Sequence, residues 1–186
     1  MRFAILFSLL IAAPAASATT DNHLDAAALL AGTSGHWDGE LQYRDYQSNT
    51  WQGLPVKVFV AAQPDGVTTI RTAQYDDGPQ TGIVTITTVT LVDASALTSS
   101  YAIFRRNRAT DIGLAKISVA MPNSDPTHWT MISLETRKDG NDVAQVRETT
   151  TRNGDELVTV KEVNPIGDNS DAWLPRNRSV LRRVGP

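Results

Sequence analysis

Four charged side chains stand out because they fall in the middle of predicted strands rather than in turns: Glu135, Arg147, Glu148 and Lys161. Charged residues at such positions either pair across the outer face of a sheet or face an enclosed interior, where they can orient a polar ligand. The sequence leaves both arrangements open. If folding brings Glu148 next to His128, the two residues would also form the acid–base pair that an enzyme requires.

The three histidines, His23, His36 and His128, are far apart in the sequence, and the chain contains no cysteine. A metal site would therefore need ligands that converge only in the folded protein. The chain also lacks a Gly-x-Ser-x-Gly nucleophile turn, a glycine-rich phosphate loop and a His-Glu-x-x-His helix. Asp139-Gly140 is typical of a hairpin turn rather than of a calcium loop. We therefore assign no catalytic residue, no metal and no cofactor.

Two stretches are rich in arginine, residues 105–108 and residues 176–183. A guanidinium group matches the geometry of a carboxylate or a phosphate, so each stretch can form an anion-binding mouth; the alternative is a solvated face. The chain as a whole has a formal net charge of −3 at pH 7. That balance favours solubility and argues against a nucleic-acid-binding surface.

The first eighteen residues have the pattern of a secretory signal peptide. Arg2 precedes an apolar run at residues 3–13, and Ala16-Ser17-Ala18 provides a small-residue cleavage site. The run is shorter than the roughly 20 residues that a membrane-spanning helix needs. We therefore expect cleavage after Ala18 and a periplasmic or secreted protein without stable membrane insertion.

Residues 19–34 are expected to form a short helix and a lead-in to the main domain. Asp21 or Asn22 can cap the first turn, the alanines and leucines of residues 24–31 favour a helix, and Gly32 suits a left-handed exit.

From residue 35 to residue 186 the sequence predicts a single domain made of about nine or ten short strands. In the first strand, Trp37, Leu41 and Tyr43 alternate with polar residues, which is the period of a half-buried strand. Short connections join neighbouring strands, and closure of the sheet would remove its exposed edges. The predicted fold class is therefore all-β, an antiparallel up-and-down β-barrel with a short N-terminal helix.

Two dipeptides predict the geometry of the later strands. Asp139-Gly140 and Asn153-Gly154 both suit two-residue hairpin turns, because they tolerate positive φ. These turns would place Ser133 opposite Val146 and Glu148 opposite Thr159.

The triplet Gly35-x-Trp37 at the start of the strands, together with an arginine-bearing final strand, resembles the lipocalin-like, or calycin, β-barrels. The chain is also similar to small exported bacterial barrel proteins of unassigned function. The resemblance implies that Trp37 closes one end of the barrel and that Arg178 or Arg182 packs across its ring, a cation–π contact. Haem-binding barrels of the nitrobindin type share the triplet but ligate iron through a histidine near the C-terminus. Residues 129–186 contain no histidine, which argues against haem.

The sequence therefore predicts an exported monomer that binds a small amphipathic or hydrophobic molecule in a barrel cavity. Arg71 or Arg147 would orient the polar end of that molecule. Aromatic and apolar residues would line the cavity, and the candidates are Tyr43, Phe59, Tyr75, Tyr101, Phe104, Trp129 and Met131. The alternative is a cell-envelope interaction or scaffold protein whose barrel is filled by side chains and holds no small molecule.

Overall fold

The structure is a computed structural model that describes residues 25–45, 47–120, 125–140, 142–167 and 172–186. The predicted signal peptide and the two predicted capping residues, Asp21 and Asn22, lie outside the described residues. Within the described part of the chain, no helix combines the length and the apolar character needed to cross a bilayer.

Ten antiparallel strands form one closed barrel in which each strand pairs with its neighbours in the chain, and the last strand pairs with the first. The strands are β1 Gly35–Asp45, β2 Thr50–Ala62, β3 Thr68–Asp76, β4 Ile83–Asp93, β5 Thr98–Arg105, β6 Asp111–Ala120, β7 His128–Asp139, β8 Asp142–Asn153, β9 Glu156–Pro165 and β10 Leu174–Gly185. The prediction of an all-β, up-and-down barrel is confirmed.

Two short helices accompany the barrel, α1 Ala26–Ala31 and α2 Gly78–Thr81. Asp25 caps α1, since its Oδ1 accepts a hydrogen bond of 2.8 Å from the Ala28 amide. The helix ends at Gly32, whose φ of −63° is right-handed, so the predicted left-handed exit is wrong. Three apolar residues of α1 are buried in the core, which places the helix across one end of the barrel.

Period-2 alternation decides which side chains face the interior. On β2, Val56, Val58 and Val60 are buried, whereas Lys57 and Phe59 between them face outward. The same alternation holds around the ring, so each strand supplies one inward row and one solvated row. Inward rows of small and β-branched residues leave space at the barrel axis.

The two predicted hairpins form, but each turn begins one residue later than predicted. Asp139 pairs with Asp142, and Asn153 pairs with Glu156, so Gly140 and Gly154 take the first loop positions with φ of +69° and +62°. Ser133 consequently faces Glu148 instead of Val146, and Glu148 faces Lys161 instead of Thr159. Each partner moves by two residues, so every side chain keeps its predicted face.

The end of the barrel under α1, here called the floor, is closed by Trp37. Its indole is fully buried, and its Nε1 donates a 2.8 Å hydrogen bond to the carbonyl of Thr33. The Arg183 guanidinium lies 4.5 Å from the ring centroid, and the Arg152 guanidinium lies 5.9 Å from it. Trp37, which belongs to the first strand, therefore contacts both the last strand and the connection between α1 and β1.

The predicted partner of Trp37 was Arg178 or Arg182, but the structure places Arg183 over the ring instead. In the β1–β10 ladder Trp37 lies opposite Arg183, whereas Arg182 lies opposite Asp38 and Arg178 opposite Gln42, on the outward row. Arg182 pairs with Glu156 at the surface, and Arg178 covers Trp51 on the outer wall. Alternation within β10 thus selects Arg183, because only its side chain points to the floor.

The two floor arginines also bind carbonyl groups in the segment that connects α1 to β1. Arg152 Nη1 donates to the Gly32 carbonyl at 2.7 Å, and Arg183 donates to the carbonyls of Gly32 and Ser34 at 3.1 and 2.6 Å. Burial, and then the positive charge of Arg183, lower the pKa of Arg152. The floor is therefore held by charge-assisted hydrogen bonds that offset the repulsion between two cations.

Arg183→Met is expected to lower the free energy of unfolding by about 1–3 kcal/mol, because it removes a cation–π contact and two hydrogen bonds to carbonyls of the α1–β1 connection. Arg182→Met is the matched control: its side chain is 76% exposed and its ion pair is a surface one, so the expected change is within about 0.5 kcal/mol. Urea unfolding followed by tryptophan fluorescence measures both. Equal effects of the two substitutions would contradict the role assigned to Arg183.

Candidate functional site

A cavity of about 440 Å³ occupies the barrel interior above the floor. Leu30, Thr33 and Trp37 form its base, and inward rows from all ten strands form its wall. One part of the wall is apolar: Val58, Val60, Ile86, Ile103, Met131, Leu157 and Leu181. A second part carries hydroxyl groups: Thr69, Thr88, Thr90, Ser133, Thr150, Thr159 and Ser179. The interior thus combines apolar surface with hydrogen-bonding groups, as small-molecule sites do.

Glu135 is the centre of a charged cluster on the cavity wall. The Tyr101 hydroxyl lies 2.9 and 2.7 Å from its two carboxylate oxygens, and Arg137 Nε lies 2.9 Å from Oε1. Arg137 also lies 3.3 Å from Asp111 and 4.0 Å from Glu148. Burial, and then the hydrogen bond to Glu135, raise the pKa of Tyr101 far above its usual range. The phenol therefore stays protonated and acts as a hydrogen-bond donor.

The charged cluster around Glu135 also connects β6 and β7 where their main-chain ladder has ended. The ladder between β6 and β7 covers five pairs, from Lys116 to Ala120, and stops below the open end. Across the upper part, the Tyr101 side chain passes over Gly113 to reach β7, and a Cβ at Gly113 would overlap the tyrosine ring. Arg137 joins β7 to β6 through Asp111 at the same level. Side-chain contacts therefore hold these two strands together where main-chain hydrogen bonds are missing.

A second cluster lies near the open end, where Asp139 contacts Lys161 at 3.2 Å and Arg176 at 2.9 Å. Burial alone raises the pKa of Asp139, but the hydrogen bonds and charges of Lys161 and Arg176 outweigh burial and hold the pKa below its usual value. Lys161 lines the cavity, and its ammonium group is already paired with Asp139.

Arg71, in the middle of β3, is different from the other charged residues of the wall. Its side chain lines the cavity, yet within the described residues it forms no hydrogen bond and no ion pair. Its neighbours in the ladders are Val60 on β2 and Thr88 on β4. A guanidinium group is thus presented to the cavity without a counter-charge.

The structure brings four of the predicted ligand-binding residues to the cavity wall: Arg71, Tyr75, Tyr101 and Met131. Tyr43 lies on the same inward row as Trp37 but beyond the cavity, and its side chain is 47% exposed. Partial burial, and then the nearby Tyr75 and Asp77, raise the pKa of its hydroxyl.

The other four predicted residues lie elsewhere, and strand alternation explains three of them. Phe59 and Phe104 are on outward rows and are 44% and 46% exposed. Arg147 also points outward, where it pairs with Glu162 at 2.8 Å and covers the Trp173 ring at 4.1 Å. Trp129 is buried in the floor core, with Nε1 donating to the Pro126 carbonyl, and does not line the cavity.

Arg137 and the wall hydroxyls were missed by the sequence analysis. Arg137 follows Glu135 by two positions and so lies on the same face of β7, which the alternation along that strand already indicated.

The arginine-rich stretch at residues 176–183 is divided between different parts of the barrel. Arg176 binds Asp139, Arg178 and Arg182 lie on the outer face, and Arg183 packs on Trp37 at the floor. It does not form one anion-binding mouth.

The histidines do not meet in the described residues. His36 lies against Phe59, with ring centroids 4.7 Å apart, in a groove of about 500 Å³ on the outer wall. His128 Nδ1 lies 2.8 Å from Asp125, and hydrogen bonds from Thr127 and then His128 lower the pKa of Asp125 to about 2. His128 is thus held at the surface, whereas Glu148 lines the cavity, so the acid–base pair considered from sequence does not form. Within the described residues no group of three or more metal-binding side chains occurs, and His23 lies outside them.

No family model matches the chain, and no curated protein matches it. Among solved structures, the crystal structure of Rv2717c from M. tuberculosis is similar, with a TM-score of 0.58 and 16% sequence identity. The similarity covers 87% of this chain and 99% of that one. The two proteins therefore share a barrel fold over nearly their whole common length.

Tyr101→Phe is expected to lower the free energy of unfolding by about 1.5–3 kcal/mol, because a buried carboxylate loses its hydrogen-bond donor. Tyr75→Phe is the matched control, since no hydrogen bond of its hydroxyl is found in the described residues, and the expected change is within about 0.5 kcal/mol. Both values come from urea unfolding at neutral pH. A Tyr101 variant as stable as the Tyr75 variant would contradict the bridging role of the cluster.

Asp139 is expected to make the free energy of unfolding depend on pH in the acidic range. Its folded-state pKa is below the ordinary value of 3.8, so its contribution is complete above about pH 4 and is lost as the pH falls through the folded-state pKa. Asp139→Asn removes that contribution at neutral pH. The difference in unfolding free energy between the two proteins should therefore shrink as the pH falls below about 4. A difference that stays constant from neutral pH to acid would contradict the assignment.

Proposed function

We propose that this protein binds a small amphipathic molecule inside the barrel. The observation that carries the proposal is the 440 Å³ cavity, whose volume lies in the range of about 300–1,000 Å³ found for small-molecule sites. Its wall offers apolar surface from several strands and a limited set of polar groups. Such a mixture suits a molecule with a hydrophobic body and one polar end.

Water reaches this cavity, which supports its use as a binding site. The Glu148 side chain is 42% exposed although it belongs to the cavity wall. The open end carries the half-exposed Tyr43 and the Asp139 cluster, and the floor at the other end is closed by Trp37. A ligand would therefore enter from the end opposite α1.

The alternative function, a scaffold with a filled barrel, predicts that tryptophan and arginine side chains block the interior. Trp37, Trp129, Arg152 and Arg183 do pack together, but only at the floor, and the cavity lies above them. This distribution of side chains favours the small-molecule proposal over the scaffold.

The proposal includes the compartment and the family type suggested by the sequence. The signal-peptide pattern of residues 1–18 supports export to the periplasm or the medium, and we propose that the exported protein acts as a monomer without nucleic-acid or membrane partners. The cation–π closure of Trp37 by an arginine of the last strand, though by Arg183 instead of the residues first considered, supports a lipocalin-like barrel.

Binding of the neutral fluorescent probe N-phenyl-1-naphthylamine tests the proposal. The intact protein should bind one probe with increased fluorescence, and Ser133→Phe, which places a ring in the cavity, should weaken binding by about tenfold or more. Thr136→Phe is the control, because it adds the same ring to the exposed outer face of the same strand and should leave binding unchanged.

Absence of probe binding, or equal binding by both phenylalanine variants, would contradict a cavity site. Thermal unfolding of each variant is measured in parallel, because a Ser133 variant that is unfolded would bind the probe non-specifically. If the Ser133 variant is unfolded, Thr159→Leu replaces it as a smaller obstruction of the cavity. Thr159 lies on β9, which pairs with the other edge of β8. Weaker probe binding by the folded Thr159 variant supports the site.

A further inference from the structure

We infer that the ligand of this cavity is a monoanion whose carboxylate, or an equivalent singly charged oxyanion, is held by Arg71. This inference rests on the proposed function and specifies the chemical class of the molecule bound. It follows from the charges of the cavity wall and from the position of Arg71 among them.

One cation of the cavity wall has no ion-pair partner within the described residues. Three cations line it, Arg71, Arg137 and Lys161, against two carboxylates, Glu135 and Glu148. Arg137 lies close to both carboxylates, and Lys161 is paired with Asp139. Arg71 is the wall cation that remains without a partner in the described residues, so a ligand with a single negative charge would pair with it.

The ring of strands keeps the acidic residues away from Arg71. β8, which carries Glu148, is the fifth strand from β3 in either direction around the ten-stranded barrel, and β7, which carries Glu135, is next to it. Arg71 therefore lies on the wall opposite to both carboxylates. Its immediate neighbours in the ladders, Val60 and Thr88, are uncharged, so neither would compete with an anionic ligand for the guanidinium group.

The surroundings of Arg71 suit an oxyanion in two further ways. A guanidinium group donates two parallel hydrogen bonds to a carboxylate, and this geometry is its preferred mode of pairing. Thr69, Thr88 and Thr90 line the cavity on the same strand or the next one and supply hydroxyl donors. A partly buried cation without a partner is unfavourable, so binding an anion restores interactions that folding removes.

Competition between molecules that differ only in their charged end tests the inference. N-phenyl-1-naphthylamine occupies the cavity, and decanoate, decanol or decyltrimethylammonium is added at about pH 8, where the carboxylate is ionised. The intact protein should bind decanoate about tenfold or more tightly than decanol, as expected for hydrogen bonds to a charged group. The cationic compound should bind no better than decanol.

Arg71→Gln should abolish the advantage of decanoate over decanol while leaving the affinity for decanol within about twofold. Arg71→Lys, which keeps the charge but loses the fork of donors, should retain part of that advantage. Arg147→Gln removes one positive charge from the outer wall and should retain all of it, which excludes a general effect of net charge.

The outcomes separate the two proposals. If N-phenyl-1-naphthylamine binds but decanoate has no advantage over decanol, or if Arg71→Gln preserves that advantage, the charge assignment is overturned and the cavity site stands. If the neutral probe does not bind at all, both proposals are overturned. Unchanged thermal midpoints of the variants confirm that the comparison is made between folded proteins.

Discussion

The contact of Trp37 with its two arginines is the interaction on which the rest of the barrel depends. The indole lies at the floor, where β1 meets β10, and Arg183 and Arg152 approach it from β10 and β8. The same guanidinium groups bind carbonyls of the segment that joins α1 to β1. One aromatic ring therefore fixes the closing pair of strands and the helix that covers them. Because the chain has no cysteine, this closure is achieved entirely by packing and hydrogen bonds.

Most of the fold could be predicted because alternation of polar and apolar residues is local. The pattern around Trp37, Leu41 and Tyr43 identified β1, and the valines of β2 were equally clear. Register was less predictable, since Gly140 and Gly154 each occupy the first loop position instead of the second. A turn dipeptide limits the pairing to a few alternatives, but the side-chain packing of both strands selects one.

The site could be predicted only in part, for a physical reason. Residue type identified aromatic residues and arginines as candidates. Whether each side chain points into or out of the barrel depends on its position in the alternation of its strand. Arg71 and Tyr101 point inward, whereas Phe59 and Arg147 are one position out of phase with the inward rows. The contact between Tyr101 and Glu135 could not be predicted at all, because it crosses β6 where Gly113 leaves room for the ring. Such contacts depend on the curvature of the whole sheet.

The pairing of β1 with β10 also determines the order in which the barrel can be completed. Arg183 binds the Ser34 carbonyl across 149 residues of sequence, whereas each of the other neighbouring strands meets its partner through a local connection. Contacts between distant parts of a chain carry the largest loop-closure entropy and form slowly. A chain emerging from the ribosome can assemble its hairpins one after another, but it cannot seal the ring until the C-terminal strand has been synthesised. Until then the sheet keeps an unpaired edge at β1, which can pair with a strand of another chain.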